Sequence, residues 1–416
     1  MRYVMQHVLE RMLGLSVEWA SGAEEFRSAA GPRLHYGKEQ FAGAAHLPWS
    51  GAITDLPTND PPIVDRRDGP ALFPVGDGED LCAGIFFLLS LADETRCQDR
   101  DAHDRVPSAS LFTVRKGIAD RPWVDEKVVR LGDMLEAHWP GLLKRPAGYR
   151  NVVTVDMDNI LRYAARPVHR AIGASVRDLF AGSPSAVPER WQVRWGGVPD
   201  PYAKVIDLVA SKRGSAQRAI LFFLMRGEGA FDHAADPRDP VTQALVQRAG
   251  RECEIGIHPS YGTGRNNAMH TEERDLLQRI IGRSVRASRQ HFLRWHIPET
   301  LRFLSGFEHS EDHTLGFSDR AGFRAGTCTP FPWYDLEREE GTTLMLHPFM
   351  VMDSALIERQ QLDTDDVFRT MAAMSDMVRA VGGQFVSVWH DRYLSGHREF
   401  VEWPAVFERV MEHARP

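Results

Sequence analysis

Residues Asn151–Leu161 read NVVTVDMDNIL. The first half, Val152-Val153-Thr154-Val155, is β-branched throughout, the composition of a short buried strand. The run stops at two carboxylates, Asp156 and Asp158. Side chains two apart on a strand share a face, so both acids point the same way if the strand reaches them. Like charges that close repel unless a cation or hydrogen-bond donors share them. In a parallel α/β sheet, ligands collect at the carboxyl ends of strands. Asp also caps helices, so this window alone leaves a capping role open for one of the pair.

Downstream, the same alternation repeats. Tyr202–Ser211 reads as a helix and Ala219–Met225 as a buried strand. Glu254–His258 is a short strand ending in histidine. A helix follows, with Thr271 as N-cap, Glu272 and Glu273 in the first turn, Leu276, Leu277, Ile280 and Ile281 as its apolar stripe, and Gly282 as its stop. Val285–Ser288 leads into Arg289-Gln290-His291, Pro298–Ser305 reads as a helix, and Gly322–Gly326 reads as a strand end. Thr343–His347 is a further strand. Thr364 heads a helix with Val367, Met371, Met374, Val378 and Val381 inward and Gly382 closing it, before the last strand, Gln384–His390. Strands alternating with helices predict a parallel α/β architecture. Its strand ends carry Asp156/Asp158, His258, His291 and His390, which then share one rim. Carboxylate and imidazole are the ligand set of zinc and similar divalent ions. Three such ligands with an open position make a hydrolytic site in which water is activated.

The first 148 residues have a different texture. Pro/Gly/Asp-rich turns alternate with short apolar runs, and the stretch reads as a separate, smaller α/β domain. Residues Val4, Val8, Leu9, Met12 and Leu13 lie on one face of an amphipathic N-terminal helix. Ile85–Leu91 reads as a core helix following Asp80, and Val124–His138 as an amphipathic helix with Val128, Val129, Leu131 and Leu135 inward. The charged loop Asp93–Arg105 holds His103 and Asp104, which read as solvated surface. Lys144–Gly148 reads as the linker, so the expected domains are 1–148 and 149–416. No catalytic constellation is visible before the linker.

Length and composition narrow the class. The chain has 416 residues, of which 43% are apolar and 26% charged, as in an ordinary globular protein. A net charge of -7 offers no footprint for nucleic acid or an anionic membrane. No apolar run approaches the ~20 residues of a transmembrane helix, and the N-terminus lacks a signal-peptide pattern. The four cysteines, Cys82, Cys97, Cys253 and Cys328, have no CxxC spacing. This fits a reducing compartment and argues against a disulfide framework or a thiolate zinc site. A cytoplasmic location is the simplest expectation.

From about residue 150 to the end, these motifs resemble the polysaccharide deacetylases of the NodB-homology type, carbohydrate esterase family 4. The whole chain is similar to a divergent subgroup with an extra N-terminal domain of unknown function. The resemblance implies a distorted parallel (β/α) barrel and a metal-dependent N- or O-deacetylase. Thr154-Val155-Asp156-Met157-Asp158 matches the family's first motif, which would make Asp156 the general base and Asp158 a metal ligand. Glu254–Ser260 is similar to the second motif, with His258 as ligand, but the family's second histidine is replaced by Gly262. Arg289-Gln290-His291-Phe292 sits where the family has Arg-x-Pro-aromatic. Arg289 would orient the catalytic Asp, while His291 replaces the Pro and would supply the third ligand. Gly322–Thr327 is also like the Arg motif, so Arg324 competes with Arg289. Val386–His390 resembles the last motif, whose histidine, His390, is the general acid.

The expectation is therefore a divalent ion, Zn²⁺ by preference, held by Asp158, His258 and His291. Tyr261 and His270 are the nearest alternatives to His291, which is favoured because it follows a strand. Asp319 would orient or charge His390, and Phe292, Trp295 and Trp333 would stack on a sugar. The expected partner is a carbohydrate; self-association is left open. Two other readings stand beside this one: a degenerate carbohydrate-binding protein without catalysis, and a metal-dependent amide hydrolase on the same barrel.

Overall fold

Nine strands in the second part of the chain form one sheet. They are β1 (Arg150–Met157), β2 (Arg218–Leu224), β3 (Glu254–His258), β4 (Ala287–Ser288), β5 (Glu311–Asp312), β6 (Phe331–Asp335), β7 (Glu340–Leu346), β8 (Val351–Met352) and β9 (Gln384–His390). The computed structural model describes residues 1–67, 69–143, 148–180, 184–227 and 229–416. The strand order is β6-β7-β5-β4-β3-β2-β1-β9-β8. All ladders are parallel except β6 with β7. The β-branched run sits in the middle of this sheet: β1 is buried from Asn151 to Met157 and pairs on both sides, with β9 and β2. The register sets His390 opposite Asp156, and His258 opposite Leu224.

The expected barrel is corrected in one respect: among the described residues no ladder joins β7 to β8, so the curled sheet does not close by hydrogen bonding. Leu346 ends β7 beside β5, and Val351 starts β8 beside β9. Five residue steps separate them, a reach of at most ~17 Å, so the two margins must curl toward each other. The crossing segment, residues 347–350, is tied to both: His347 N–H donates to Asp312 O at 2.8 Å and Met350 N–H to Val386 O at 3.1 Å.

Helices Lys204–Ser211, Pro240–Glu252, Asn267–Ile281, Thr364–Ala380 and Trp403–His413 bury their apolar stripes in a core with Val152, Val153, Val155, Phe223, Ile257 and Val388. Two caps differ from the sequence reading. The Asn266 side chain accepts from Met269 N–H, whereas Thr271 lies inside the helix and donates back to Asn267 O. Asp363, not Thr364, accepts from Asp366 N–H. In both cases a neighbouring Asn or Asp, the stronger capping side chain, takes the role. Gly282 does close its helix, at φ 72°. Gly322–Gly326 is no strand; Gly322 N–H donates to Met350 O, Phe323 N–H to Ala119 O, and Gly326 N–H closes a turn onto Phe323 O. None of the helices is long and apolar enough to cross a membrane, among the described residues.

The first part is helical with three two-stranded ladders, at Leu34–Gly37/Ala45–Pro48, Ile63–Arg66/Gly69–Leu72 and Pro74–Val75/Gly78–Glu79. Asp80 caps the buried helix Leu81–Leu89 through Ala83 N–H. Helix Trp123–His138 buries Val124, Val128, Leu131 and Leu135, but Val129 is 40% exposed, because it falls one position off the stripe. The linker read at Lys144–Gly148 lies, apart from Gly148, outside the described residues. The two parts share a core: Val4, Val8, Phe86 and Trp123 pack in one cluster with Trp295, Leu301, Phe331, Trp333, Leu344 and Leu346.

Candidate metal-binding site

Asp158 stands one residue beyond β1, and its Oδ1 is a buried atom with no hydrogen-bond partner. It lies 3.3 Å from His258 Nε2 and 3.8 Å from His291 Nε2. The ligand atoms of the three residues all fall within 4.8 Å of one another. Each imidazole is aimed by its other nitrogen. His258, at the end of β3, has Nδ1 at 2.6 Å from the Arg289 carbonyl. A carbonyl only accepts, so Nδ1 carries the proton there and Nε2 faces the acid. His291 follows β4, and its Nδ1 is 2.9 Å from Asp232 Oδ1. Such carboxylate- and carbonyl-held imidazoles are how proteins orient metal-ligating histidines.

The turn carrying Asp158 is itself held. Asp391 Oδ2 accepts from Asn159 N–H at 2.8 Å and Ile160 N–H at 3.0 Å. Ile160 adopts φ 58°, and Phe292 and Leu293, just past His291, adopt 59° and 54°. Left-handed backbone is strained for these residue types, most of all β-branched Ile, and it persists where surrounding bonds over-determine it. Burial alone would lower the His258 pKa, but Asp156 and Asp158 outweigh it and hold it above the ordinary range. The centre thus attracts positive charge. One carboxylate and two imidazoles converging on a buried point are a donor set that suits Zn²⁺.

Asp156 lies beside this centre. Its Oδ1 accepts from Arg289 Nη1 at 2.7 Å, and its Oδ2 is 3.9 Å from His258 Nε2 and 4.0 Å from His390 Nε2. Arg289 is fully buried; Nη2 donates to Thr154 Oγ1 at 2.9 Å, Nε donates to His313 O at 2.9 Å, and its guanidinium lies 4.4 Å from the Phe222 ring centre. His390 ends β9, with Nδ1 at 2.6 Å from Asp353 Oδ1 and its backbone N–H donating to Asp353 Oδ2. Burial would lower its pKa; Asp353 first, then Asp158 and Asp156, outweigh that and raise it to about 9.

Other residues singled out in the sequence lie elsewhere. Arg324 pairs with Glu94, at 2.8 Å and 2.9 Å, and not with Asp156, so Arg289 is the arginine at this acid. Asp319 is exposed and accepts from Ser108 Oγ; the carboxylate at His390 is Asp353. Trp333 is buried in the shared core, and Trp295 is buried with Nε1 donating to Glu94 at 3.0 Å, so both pack and neither is free to stack on a ligand. His270 is buried between Phe303 and Phe307, apart from the centre. Phe292 borders the centre, its ring centre 4.7 Å from that of His291. It belongs to an aromatic cluster with Phe231, Tyr261 and His103. The loop of the first part therefore reaches the rim. His103 Nδ1 lies 3.3 Å from Tyr261 Oη, Arg105 Nη1 donates to Phe292 O, and Asp104 pairs with Arg265 at 2.6 Å. His103 and Asp104 are contact residues, not solvated surface.

Asp232, Asp353 and Asp391 hold the site and had no signal in the sequence. Asp353 follows a two-residue strand, too short for periodicity, and Asp232 lies in an irregular loop after β2.

A family of unknown function, DUF7033, matches residues 1–140. No curated protein matches the sequence. Among solved structures, a Mycobacterium smegmatis protein described as a polysaccharide deacetylase is similar at 15% identity and a TM-score of 0.39, over 64% of this chain and 86% of that one. A polysaccharide deacetylase from Bacillus cereus is similar at 12% identity and a TM-score of 0.31, over the same shares. A family 4 carbohydrate esterase from Streptomyces lividans, in complex with acetate, is similar at 9% identity and 0.32, over 64% and 87%. At these values the functional reading rests on the side chains.

Proposed function

We propose that this protein hydrolyses an acetyl group from a nitrogen or oxygen of a carbohydrate. One observation carries the reading. A partnerless Asp158 oxygen faces two pre-aimed imidazole nitrogens, with the second acid, Asp156, between Arg289 and His390. Asp158, His258 and His291 are the residues that would hold a divalent ion, which when bound polarises an acyl carbonyl and acidifies water.

The chain's own groups account for the proton movements. Asp156 has one oxygen occupied by Arg289, so Oδ2 is the atom free to take a proton from attacking water. Arg289, locked by Thr154 and the His313 carbonyl, keeps that oxygen aimed. His390, cationic at neutral pH, gives its Nε2 proton to the departing amine or alkoxide while Asp353 holds Nδ1. The exposed ring of Phe231, with Phe292 and Tyr261, offers an apolar wall suited to a sugar face. The carbohydrate assignment also draws on the motif resemblance of Thr154–Asp158 and Val386–His390.

The test is acetate release by the full chain, supplied with Zn²⁺, from a panel of N- and O-acetylated oligosaccharides. Asp156→Asn and His390→Ala should each lower kcat by about 10²–10⁴-fold, the usual worth of a general base or acid. Unchanged rates in both variants would refute the assignment.

A further inference from the structure

Beside the turn that carries Asp158 lies a cavity of about 610 Å³ that the hydrolytic reading leaves unused. Five arginines line it, Arg162, Arg166, Arg170, Arg177 and Arg190, with a single carboxylate, Asp178. Two further lining residues fix its place. Asn159 follows Asp158, and His233 follows Asp232, the acid that aims His291. Consecutive Cα atoms are about 3.8 Å apart, so the cavity borders the candidate metal centre.

We propose that this cavity is a phosphate-binding subsite, and that it seats a phosphate group carried by the acetylated sugar. The substrate half of the proposal rests on the hydrolytic reading; the subsite itself does not.

The positive charge here is local and uncompensated. The chain as a whole carries -7, yet the one lining carboxylate, Asp178, is taken by Arg190. Among the described residues, the other four arginines make no ion pair. Arg166 donates to Leu161 O at 3.0 Å and Arg170 to Gly227 O at 3.0 Å, bonds that position the guanidinium without neutralising it. Arg162 lies over the rings of Tyr163 and Tyr202, and its Nε is buried without a hydrogen-bond partner. Buried polar groups are ordinarily satisfied, and an exception calls for an explanation such as a bound ion. Burial first, and then the charge of Arg162, hold the Arg166 pKa below its ordinary value, although Asp200 and Asp391 act against them. Cations crowded in this way repel one another, and an anion among them relieves the repulsion.

Phosphate is the anion that fits. Planar guanidinium forks match its oxygens two at a time. A phosphate monoester carries about -1.5 to -2 at pH 7, whereas a lone carboxylate would leave most of the four cations unmatched. The helix that supplies Arg170 and Arg177, Val168–Phe180, exposes Val168, Ile172, Val176 and Leu179 along its other side. An apolar stripe opposite basic residues suits the surface of a lipid layer, so the phosphate has two possible sources, a soluble sugar phosphate and a lipid headgroup.

Binding by the full chain, loaded with Zn²⁺, tests this and separates the sources. Calorimetric titration compares N-acetylglucosamine 1-phosphate with N-acetylglucosamine. A soluble source predicts that the phosphate raises affinity at least about tenfold, the worth of one charge-assisted hydrogen bond. The double variant Arg170→Gln/Arg177→Gln, at two exposed positions, should lose that gain. A lipid source predicts instead sedimentation with phosphatidylcholine vesicles that contain phosphatidic acid, and not with phosphatidylcholine alone, again lost in the double variant. Either result supports the subsite and identifies the source. Indifference to phosphate in both assays overturns it, and so does a preference that survives in the double variant, because the phosphate is then held elsewhere. Acetate release keeps the two readings apart. If wild type and variant hydrolyse the neutral sugar as well as the phosphorylated one, the phosphate proposal falls and the hydrolytic reading stands. If neither sugar releases acetate while the variant loses phosphate-dependent binding, the subsite stands and the hydrolytic reading falls.

Discussion

At the scale of single residues, the centre depends on acids that aim histidines. Asp353 is the first stabilising partner of the His390 imidazolium, whose pKa stands at about 9 against an ordinary 6.5. A raised histidine pKa stabilises the fold fully below about pH 6.5, and that contribution is lost as pH rises through about 9. Catalysis that needs the His390 proton must fade over the same upper range. Asp353→Asn should move the alkaline limb of the kcat profile down by roughly 1–2 pH units, the usual size of a lost neighbouring charge; an unmoved limb would count against His390 as the acid. A second residue-scale test separates the two candidate third ligands. His291→Ala should lose the ion that Asp158 and His258 hold, while His270→Ala, whose ring sits between Phe303 and Phe307, should keep it. Metal analysis after dialysis reads the difference, and the opposite result would move the ligand to His270.

At the scale of elements, long and regular features were legible and short ones were not. The strand Arg150–Met157 and the strand Gln384–His390 could be read because apolar, β-branched runs end abruptly at Asp and His. For the same reason Asp158 and His258 were visible at strand ends, whereas His291 lies three residues past the two-residue strand Ala287–Ser288 and was legible through the Arg289–Phe292 motif. The strands Glu311–Asp312 and Val351–Met352 were not, since two residues show no alternation. Asp353 and the pair Glu311/His313 therefore lay in stretches that sequence periodicity cannot see. Helix starts were misplaced where two capping side chains stand close together, and only the hydrogen bonds decide between them. Asn266→Ala should cost about 1 kcal/mol of stability, the usual worth of an N-cap, and Thr271→Ala much less. Urea denaturation of the two variants measures this, and equal losses would show that the cap has been misassigned.

At the scale of the whole molecule, the division into two domains predicted from composition meets a core that both parts build. Removing residues 1–148 would bare Leu301, Phe331, Trp333, Leu344 and Leu346. Fully exposing a large apolar side chain costs about 1.5–3 kcal/mol, so five of them sum to something on the order of 10 kcal/mol, comparable with the entire stability of a domain. Residues 149–416 expressed alone should therefore be insoluble or partly folded by circular dichroism. A soluble fragment with a cooperative melt would show that the first part is an appendage. The rim contacts of His103, Arg105 and Asp104 add that the first part also shapes the approach to the centre.

The crossing segment, residues 347–350, carries one more implication. Where hydrogen-bonded strands meet, a sheet can slip register or fray; a covalent seam can do neither. The gap between β7 and β8 is instead spanned by one thread of chain, pinned where His347 N–H meets Asp312 O and Met350 N–H meets Val386 O. The same thread begins at His347 and ends three residues before Asp353, so only seven residue steps separate the end of β7 from the partner of His390.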